Sequence, residues 1–582
     1  MADYNKTNVD ESGNGGPAAP KDPVEQRSGF FIMFESIIEA TTRPDGKFSQ
    51  EIYLEGQRLI DKAKFSGGVE DEEILGFLTS CSGFRRLVHS IGVSVKAHDQ
   101  EVSSLFFAIE NWGKTSKYET GTRLRIPCPA DGSEMILTLE DYDWSPDDDV
   151  PGKFAVEFER AGALATVSII LYLHEGYQVP EFTIEPPVDF GSQAYREMVA
   201  KSLLNRGNNK RLKAAIDKAK RGERVTIAYI GGSITQGAGA KPIHTECYAY
   251  QSYSNFKHRF GKEGGDAIQL IKAGVGGTPS ELGIVRYERD VLRDGTAAPD
   301  IVIVEFAVND EGDETKGNCY ESLVLKALAA ENEPAVILLF SVFVNDWNLQ
   351  ERLAPVGRHY DLPMVSVKDA VVEQFRLTKA EGNIISKRQF FYDIYHPTNA
   401  GHTVMADCLG YLFAETERSA PDLEDIVTDK PPAIGNDFID TYLLDRSSKV
   451  EGIATIDAGS FIDTDADLQM VEMDDHPYGS PQFPNNWMHT AESGSDSFKM
   501  TIRCKRLILV FKDSGSSDFG SADIWVDGQH AKIADPHENN WTHCNAVILC
   551  NEQVSKEHSV EIKMVSGHED KRFTILGFSY VP

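Results

Sequence analysis

Val225-Thr226-Ile227-Ala228-Tyr229-Ile230-Gly231-Gly232-Ser233-Ile234-Thr235-Gln236-Gly237 is the stretch that decides how this chain folds. Its first six residues are apolar, aromatic or β-branched and predict a buried strand. Two glycines then permit a sharp turn, and a serine stands where a strand of an α/β sheet hands over to a helix. In open α/β sheets ligands bind outside the carboxyl ends of the strands, so this hydroxyl is expected at the reactive edge. The free N–H groups of a helix start lie beside it and can stabilise an oxyanion. Read alone, the same serine could simply cap the helix.

Competing motifs fail on the letters. A phosphate-binding loop needs G-x-x-x-x-G-K-[ST]; Gly232 and Gly237 have the spacing, but Ala238 and Gly239 follow. The G-x-S-x-G elbow fails at Thr235, and the dinucleotide fingerprint begun by Gly274 and Gly276 ends on Pro279. His244-Thr245-Glu246-Cys247 opens like a zinc deaminase, but no P-C-x-x-C follows, so no metal is expected there.

Three further blocks lie downstream. Ala273-Gly274-Val275-Gly276-Gly277-Thr278 follows a short apolar run and reads as a second strand-end loop. The apolar run 301–306 is a strong buried strand, closed by Ala307-Val308-Asn309-Asp310. Last comes Tyr392-Asp393-Ile394-Tyr395-His396-Pro397, an aspartate three residues before a histidine in a proline-broken loop. In these four ordered blocks, over 221–417, the sequence resembles the SGNH hydrolases, the GDSL-type esterases. The resemblance implies Ser233 as nucleophile, with the Ser233 and Gly277 N–H groups and the Asn309 amide as oxyanion donors. It also implies His396 as base and Asp393 as its orienting acid. One departure is plain: Gly232 stands where the family carries an aspartate.

The chemistry fits these residue types. A serine hydroxyl attacks well only when an imidazole takes its proton, and the imidazole needs a carboxylate to fix its tautomer. Read singly, Asn309 could cap a helix, Gly277 could be an ordinary turn glycine, and His396 a satisfied loop histidine. Their joint occurrence in order argues against that reading. No organic cofactor or metal is required by this mechanism.

Composition bounds the remainder. The 582 residues carry 58 Lys and Arg against 90 Asp and Glu, a formal charge of −32. That charge argues against nucleic acid and anionic membranes, and it suits neutral substrates such as sugars. The 8 cysteines are scattered with no C-x-x-C pair, so reduced thiols are expected. No secretory leader and no apolar run of membrane-spanning length is visible, and a cytoplasmic location is expected.

The fold expected is α/β: a three-layer α/β/α hydrolase domain with a parallel sheet, flanked by amino- and carboxyl-terminal β-sandwich, jelly-roll-like domains. Residues 1–28 read as disordered, 29–190 as the first β-rich domain, and 191–222 as a linking helix. The catalytic domain is expected over 223–418, a proline-bearing acidic linker over 419–436, and the second sandwich over 437–582. Asp527-Gly528 predicts a hairpin pairing 524–526 with 531–533. A β-sandwich joined to such a hydrolase resembles the acetyl-polysaccharide esterases of carbohydrate esterase family two and related gut-bacterial enzymes. By that resemblance the substrate is an acetylated oligosaccharide, from xylan or mannan, losing its O-acetyl groups. Trp347, Trp487 and Trp541 are candidates to stack on sugar rings, each with ordinary packing as the alternative. The rival readings are a lipase or thioesterase of the same superfamily, and a glycan-binding protein with an inactive hydrolase domain. Oligomeric state is not legible.

Overall fold

The structure is a computed structural model that describes residues 27–43, 45–99, 102, 105–476 and 479–582. The disorder expected for 1–28 therefore falls outside the described residues, apart from Arg27 and Ser28. The chain forms two compact units, Met1–Pro187 and Val188–Pro582.

The first unit holds two antiparallel sheets. One has the order Gly29–Glu39, Leu164–Leu173, Val88–Ala97, Asp131–Thr138; the other runs Thr41–Thr42, Phe48–Tyr53, Asp148–Phe158, Leu105–Gly113, Arg123–Cys128. Strict alternation drives the burial: Ala165, Val167, Ile169, Leu171 and Leu173 turn inward while their neighbours stay half-exposed. The strand pattern expected here is interrupted by three short helices, Arg58–Phe65, Glu72–Phe77 and Cys81–Leu87. The last two start on real caps, since Asp71 accepts the N–H groups of Glu73 and Ile74, and Ser80 that of Gly83. Helices this short show too few turns for periodicity to reveal them among β-rich flanks.

The second unit begins with a correction. The stretch 191–222 is not one linking helix but two, Gln193–Ala200 and Lys210–Lys220, around a short strand, β1 (Leu203–Asn205). That strand joins the central sheet with β2 (Val225–Gly231), β3 (Ile268–Gly274), β4 (Ile301–Glu305), β5 (Ala335–Phe340) and β6 (Met364–Ser366). The spatial order is β1-β6-β5-β4-β2-β3, with β1 alone antiparallel. Every residue of β2, β4 and β5 is buried, as expected for parallel strands covered on both faces. Segment 419–436 has no regular secondary structure. It is tied down where Arg211 pairs with Asp425 at 3.0 Å and buried Glu321 accepts the N–H groups of Ala433 and Gly435.

Beyond it lies an antiparallel sheet of eight strands and a two-stranded ribbon. The hairpin turns at Asp527 and Gly528, which both take positive φ, 52° and 76°, but its register differs from the expected 531–533: Val526 pairs with Gln529, Trp525 with His530 and Ile524 with Lys532, across a bulge. The longest partner of the last strand, Phe573–Val581, is the 16-residue strand Phe498–Asp513. Its residues pack both ways. Leu507, Leu509 and Phe511 join the core of this sheet, whereas Ile508 and Val510 join the core of the central domain with Leu282 and Val285. The two domains of this unit thus share buried apolar surface. Among the described residues no helix is long and apolar enough to cross a membrane.

Candidate active site

In the parallel ladder Gly231 of β2 stands level with Gly274 of β3 and Glu305 of β4. Three strand ends therefore deliver three of the four blocks to one edge of the sheet. Ser233 opens a single helical turn, Ser233–Gln236, immediately after the β2 end. Its Oγ lies 2.9 Å from His396 Nε2, and His396 Nδ1 lies 2.8 Å from Asp393 Oδ2. The other carboxylate oxygen of Asp393 accepts the N–H groups of Tyr395 and His396, both at 2.8 Å. One oxygen thus shapes the loop and the other orients the imidazole. Nδ1 carries the proton given to Asp393, which leaves Nε2 free to take the serine's.

The residues expected to serve as oxyanion donors, Gly277 and Asn309, follow the next two strand ends. Val275 N–H donates to Gly231 O at 3.1 Å, and a Cβ on Gly276 would stand 3.7 Å from Ser233 Cβ, so this loop lies against Ser233. Gly277 has φ +71°, the left-handed region, which favours glycine. At Gly232 a Cβ would come within 2.3 Å of Asn309 Oδ1. The departure from the family pattern has its physical counterpart there: without a side chain at 232, the Asn309 amide packs directly on the elbow. Asn309 Oδ1 is buried with no hydrogen-bond partner among the described residues. Ser233, at the first helical position, has no intrahelical acceptor for its N–H.

Beneath the elbow sits Glu305, whose carboxylate accepts from Ser341 Oγ and, at 3.3 Å, from Thr235 Oγ1. Complete burial pushes its carboxyl up to about 7. His402 lies on the helix Asn399–Arg418 and is wholly buried. It accepts the Tyr248 N–H at 3.2 Å and donates to Ala238 O at 3.1 Å, which binds the segment after the elbow to that helix.

Several residues that shape the site were not visible in the sequence. Arg286, fully buried, donates to Ala273 O at 2.6 Å and Gly231 O at 2.8 Å, clamping the ends of β2 and β3 together. Gln236 Oε1 accepts the Gly276 N–H at 2.9 Å, and its Nε2 is bonded to Glu472. From the C-terminal domain, Gln469 donates to Gly276 O at 2.8 Å, and His543 Nε2 donates to Gly277 O at 3.0 Å. Burial holds the His543 imidazole down at about 4, so it is neutral at pH 7 and acts as a fixed donor. No spacing or motif announces Gln469 or His543, since 193 and 266 residues separate them from the glycines they hold.

The three tryptophans divide. Trp347 is half-buried and stacks on Phe343 at 5.8 Å; Phe343 meets Tyr395 edge-on at 5.0 Å, and Tyr395 lies 6.0 Å from His396. An aromatic strip thus runs up to the triad, with Tyr395 exposed. Trp541 lies on the oxyanion side, its ring 2.9 Å from where a Gly277 Cβ would be. Trp487 corrects the sequence reading: it is buried in the core of the C-terminal sheet against Phe498 and Phe578, and offers no platform. Its polar neighbours in sequence gave a loop-like look to a short inward-facing strand, Trp487–His489.

Residues 229–404 match the GDSL-like Lipase/Acylhydrolase family. The central domain is a GDSL-type ester hydrolase. Among solved structures the chain resembles a two-domain esterase active on acetylated mannans. The form crystallised with mannopentaose has 28% identity and a TM-score of 0.55 over 66% of this chain and 97% of that one. A second structure of that esterase gives 28% identity and a TM-score of 0.56 over 66% and 98%. A family two carbohydrate esterase from Clostridium thermocellum, in complex with cellohexaose, has 13% identity and a TM-score of 0.24 over 56% and 89%. No curated protein matches the chain. Ser233, Gly277, Asn309, Asp393 and His396 fall within the matched segment, whereas Gln469 and His543 lie outside it.

Proposed function

We propose that this protein removes O-acetyl groups from manno-oligosaccharides through an acetyl-serine intermediate. The observation that carries the reading is a complete, hydrogen-bonded triad in a chain 28% identical, over nearly the whole length of the relative, to an esterase active on acetylated mannans. The aromatic strip from Trp347 to Tyr395 supports a sugar substrate, because pyranose faces stack on such rings.

His396 Nε2 takes the proton from Ser233 Oγ as that oxygen attacks the acetyl carbonyl. The carbonyl oxygen becomes an oxyanion and receives the N–H groups of Ser233 and Gly277 and the Asn309 amide; one such donor contributes about 3–4 kcal/mol in the transition state. The sugar oxygen then departs with the proton from His396, leaving acetyl-serine. A water, deprotonated by the same nitrogen, attacks the acyl carbon and releases acetate, and the proton returns to Ser233.

The test is acetate release, followed by NMR, from acetylated manno- and xylo-oligosaccharides, with Ser233→Ala alongside. Release from the manno-oligosaccharide, absent in the variant, is the expected result. Release from the xylo-oligosaccharide alone would overturn the choice of sugar. Cleavage of long-chain acyl esters in preference to acetyl would favour a lipase or thioesterase, and silence on every ester a binding role.

A further inference from the structure

Far along the chain from the triad, the C-terminal sheet gathers two thiols and an imidazole. Phe498–Asp513 and His543–Met564 pair along their length, but the ladder is interrupted: Cys504 faces Lys556 and Arg506 faces Asn551. The stretch 552–555 therefore loops out opposite Lys505. The excursion brings Cys550 and His558, on either side of it, up to Cys504. The two Sγ atoms and a ring nitrogen of His558 all lie within 4.8 Å of one another, and all three residues are buried.

The histidine supplies an independent sign. His558 Nδ1 is bonded to Asp527 Oδ2 at 2.9 Å, and Asp527 is itself held by the Ser559 N–H. That carboxylate places the proton on Nδ1 and leaves a lone pair on Nε2. Yet Nε2 is buried without a hydrogen-bond partner, in a side chain only 1% exposed. A buried imidazole nitrogen to which no donor is bonded is unfavourable unless a ligand occupies the space. Carboxylate-backed imidazole is also the arrangement that orients histidine towards a metal.

We propose that Cys504, Cys550 and His558 bind a zinc ion that closes the base of this excursion. Two thiolates and an imidazole nitrogen are a donor set suited to a borderline-soft divalent ion, and the oxygen donors that calcium or magnesium need are missing from it. Zinc bonds of about 2.3 Å to sulfur and about 2.0 Å to nitrogen require the three donors to draw slightly together. Binding releases the two thiol protons and changes no oxidation state, and the doubly charged ion balances the two thiolates. Three protein donors leave the fourth tetrahedral position to solvent, beside Cys550, the most exposed of the three. The absence of any C-x-x-C spacing is no obstacle, because strand pairing rather than sequence brings these ligands together.

The experiment uses the full-length chain purified without chelators and under reducing conditions. Metal content by mass spectrometry is expected at about one zinc per chain. Replacement by cobalt should produce thiolate-to-metal charge-transfer absorption and the visible bands of a tetrahedral site. Cys550→Ser and His558→Gln should each lose the metal and those bands, whereas Cys408→Ser, in the central domain, should keep both. Circular dichroism of each variant separates lost ligation from lost folding. Three outcomes would overturn the proposal: no zinc bound after incubation with micromolar zinc, zinc retained in both ligand variants, or a Cys504–Cys550 disulfide in the reduced-handled protein by intact mass.

Discussion

The carboxyl edge of the central sheet and the rim of the C-terminal sheet meet at Gly277, and they contribute to the site in opposite ways. The first carries the groups to which the proposed reaction assigns the chemistry, among them His396, partly exposed and bonded to Ser233 and Asp393. The second supplies His543, buried, neutral and bonded to the Gly277 carbonyl. In the proposed reaction one histidine gains and loses a proton in each cycle, so it needs a carboxylate and access to solvent. The other must do neither, and burial keeps it uncharged. What differs is not the residue but its surroundings, and an active site requires both kinds.

Changes on the reactive side should have the largest effect. Ser233→Ala should lower kcat for acetate release by about 10⁴-fold or more, while the thermal midpoint stays put. Asn309→Ala should lower kcat by about 10²- to 10³-fold, as expected when one oxyanion donor is removed. On the bracing side, His543→Ala should cost about tenfold in kcat, with KM for an activated aryl acetate little changed, because the loop loses a fixed donor rather than a reacting group. His543→Gln, which keeps an N–H, should recover part of that loss. A kcat untouched in both would reduce the C-terminal rim to scaffolding and break the comparison.

The tryptophans give a smaller, sharper contrast. Trp347→Ala should raise KM for an acetylated oligosaccharide severalfold, with stability nearly unchanged, a loss of about 1 kcal/mol of stacking. Trp487→Ala should instead lower stability by about 3–5 kcal/mol in denaturant unfolding, since it empties a core site. The least visible effect concerns pH. Glu305 is raised by burial to about 7 in the folded state, above the 4.5 of an ordinary glutamate. The folded protein therefore holds this proton more tightly than the unfolded chain. The associated stability is fully present below about 4.5 and is lost as pH rises towards 7. Glu305→Gln should flatten the fall in stability across that window, and an unchanged pH profile would show that Glu305 is ionised in place.

Legibility followed from how local each feature is. The elbow, the Gly276-Gly277 loop, the Asn309 strand end and the Asp393–His396 loop are each defined within a few residues, so residue type and order pick out the groups that the fold brings together. The edge strand Leu203–Asn205 was read as helix because three residues carry no period, and only its pairing with Met364–Ser366 makes it a strand. Trp487 was misjudged because polar neighbours in sequence do not report which way a side chain points.

Strand periodicity and short loops are local properties of a chain, so the letters alone indicate the parallel sheet and the candidate residues Ser233, His396, Asp393, Gly277 and Asn309. Only the packing of the fold decides that Gln469 and His543 hold the Gly276-Gly277 loop, that Arg286 clamps two strand ends, and that Trp347 and Trp541, but not Trp487, lie near Ser233 and His396. Those contacts join residues far apart in sequence. They exist because two sheets share a buried apolar face, and no pattern along the chain encodes which polar atoms that packing will bring opposite one another.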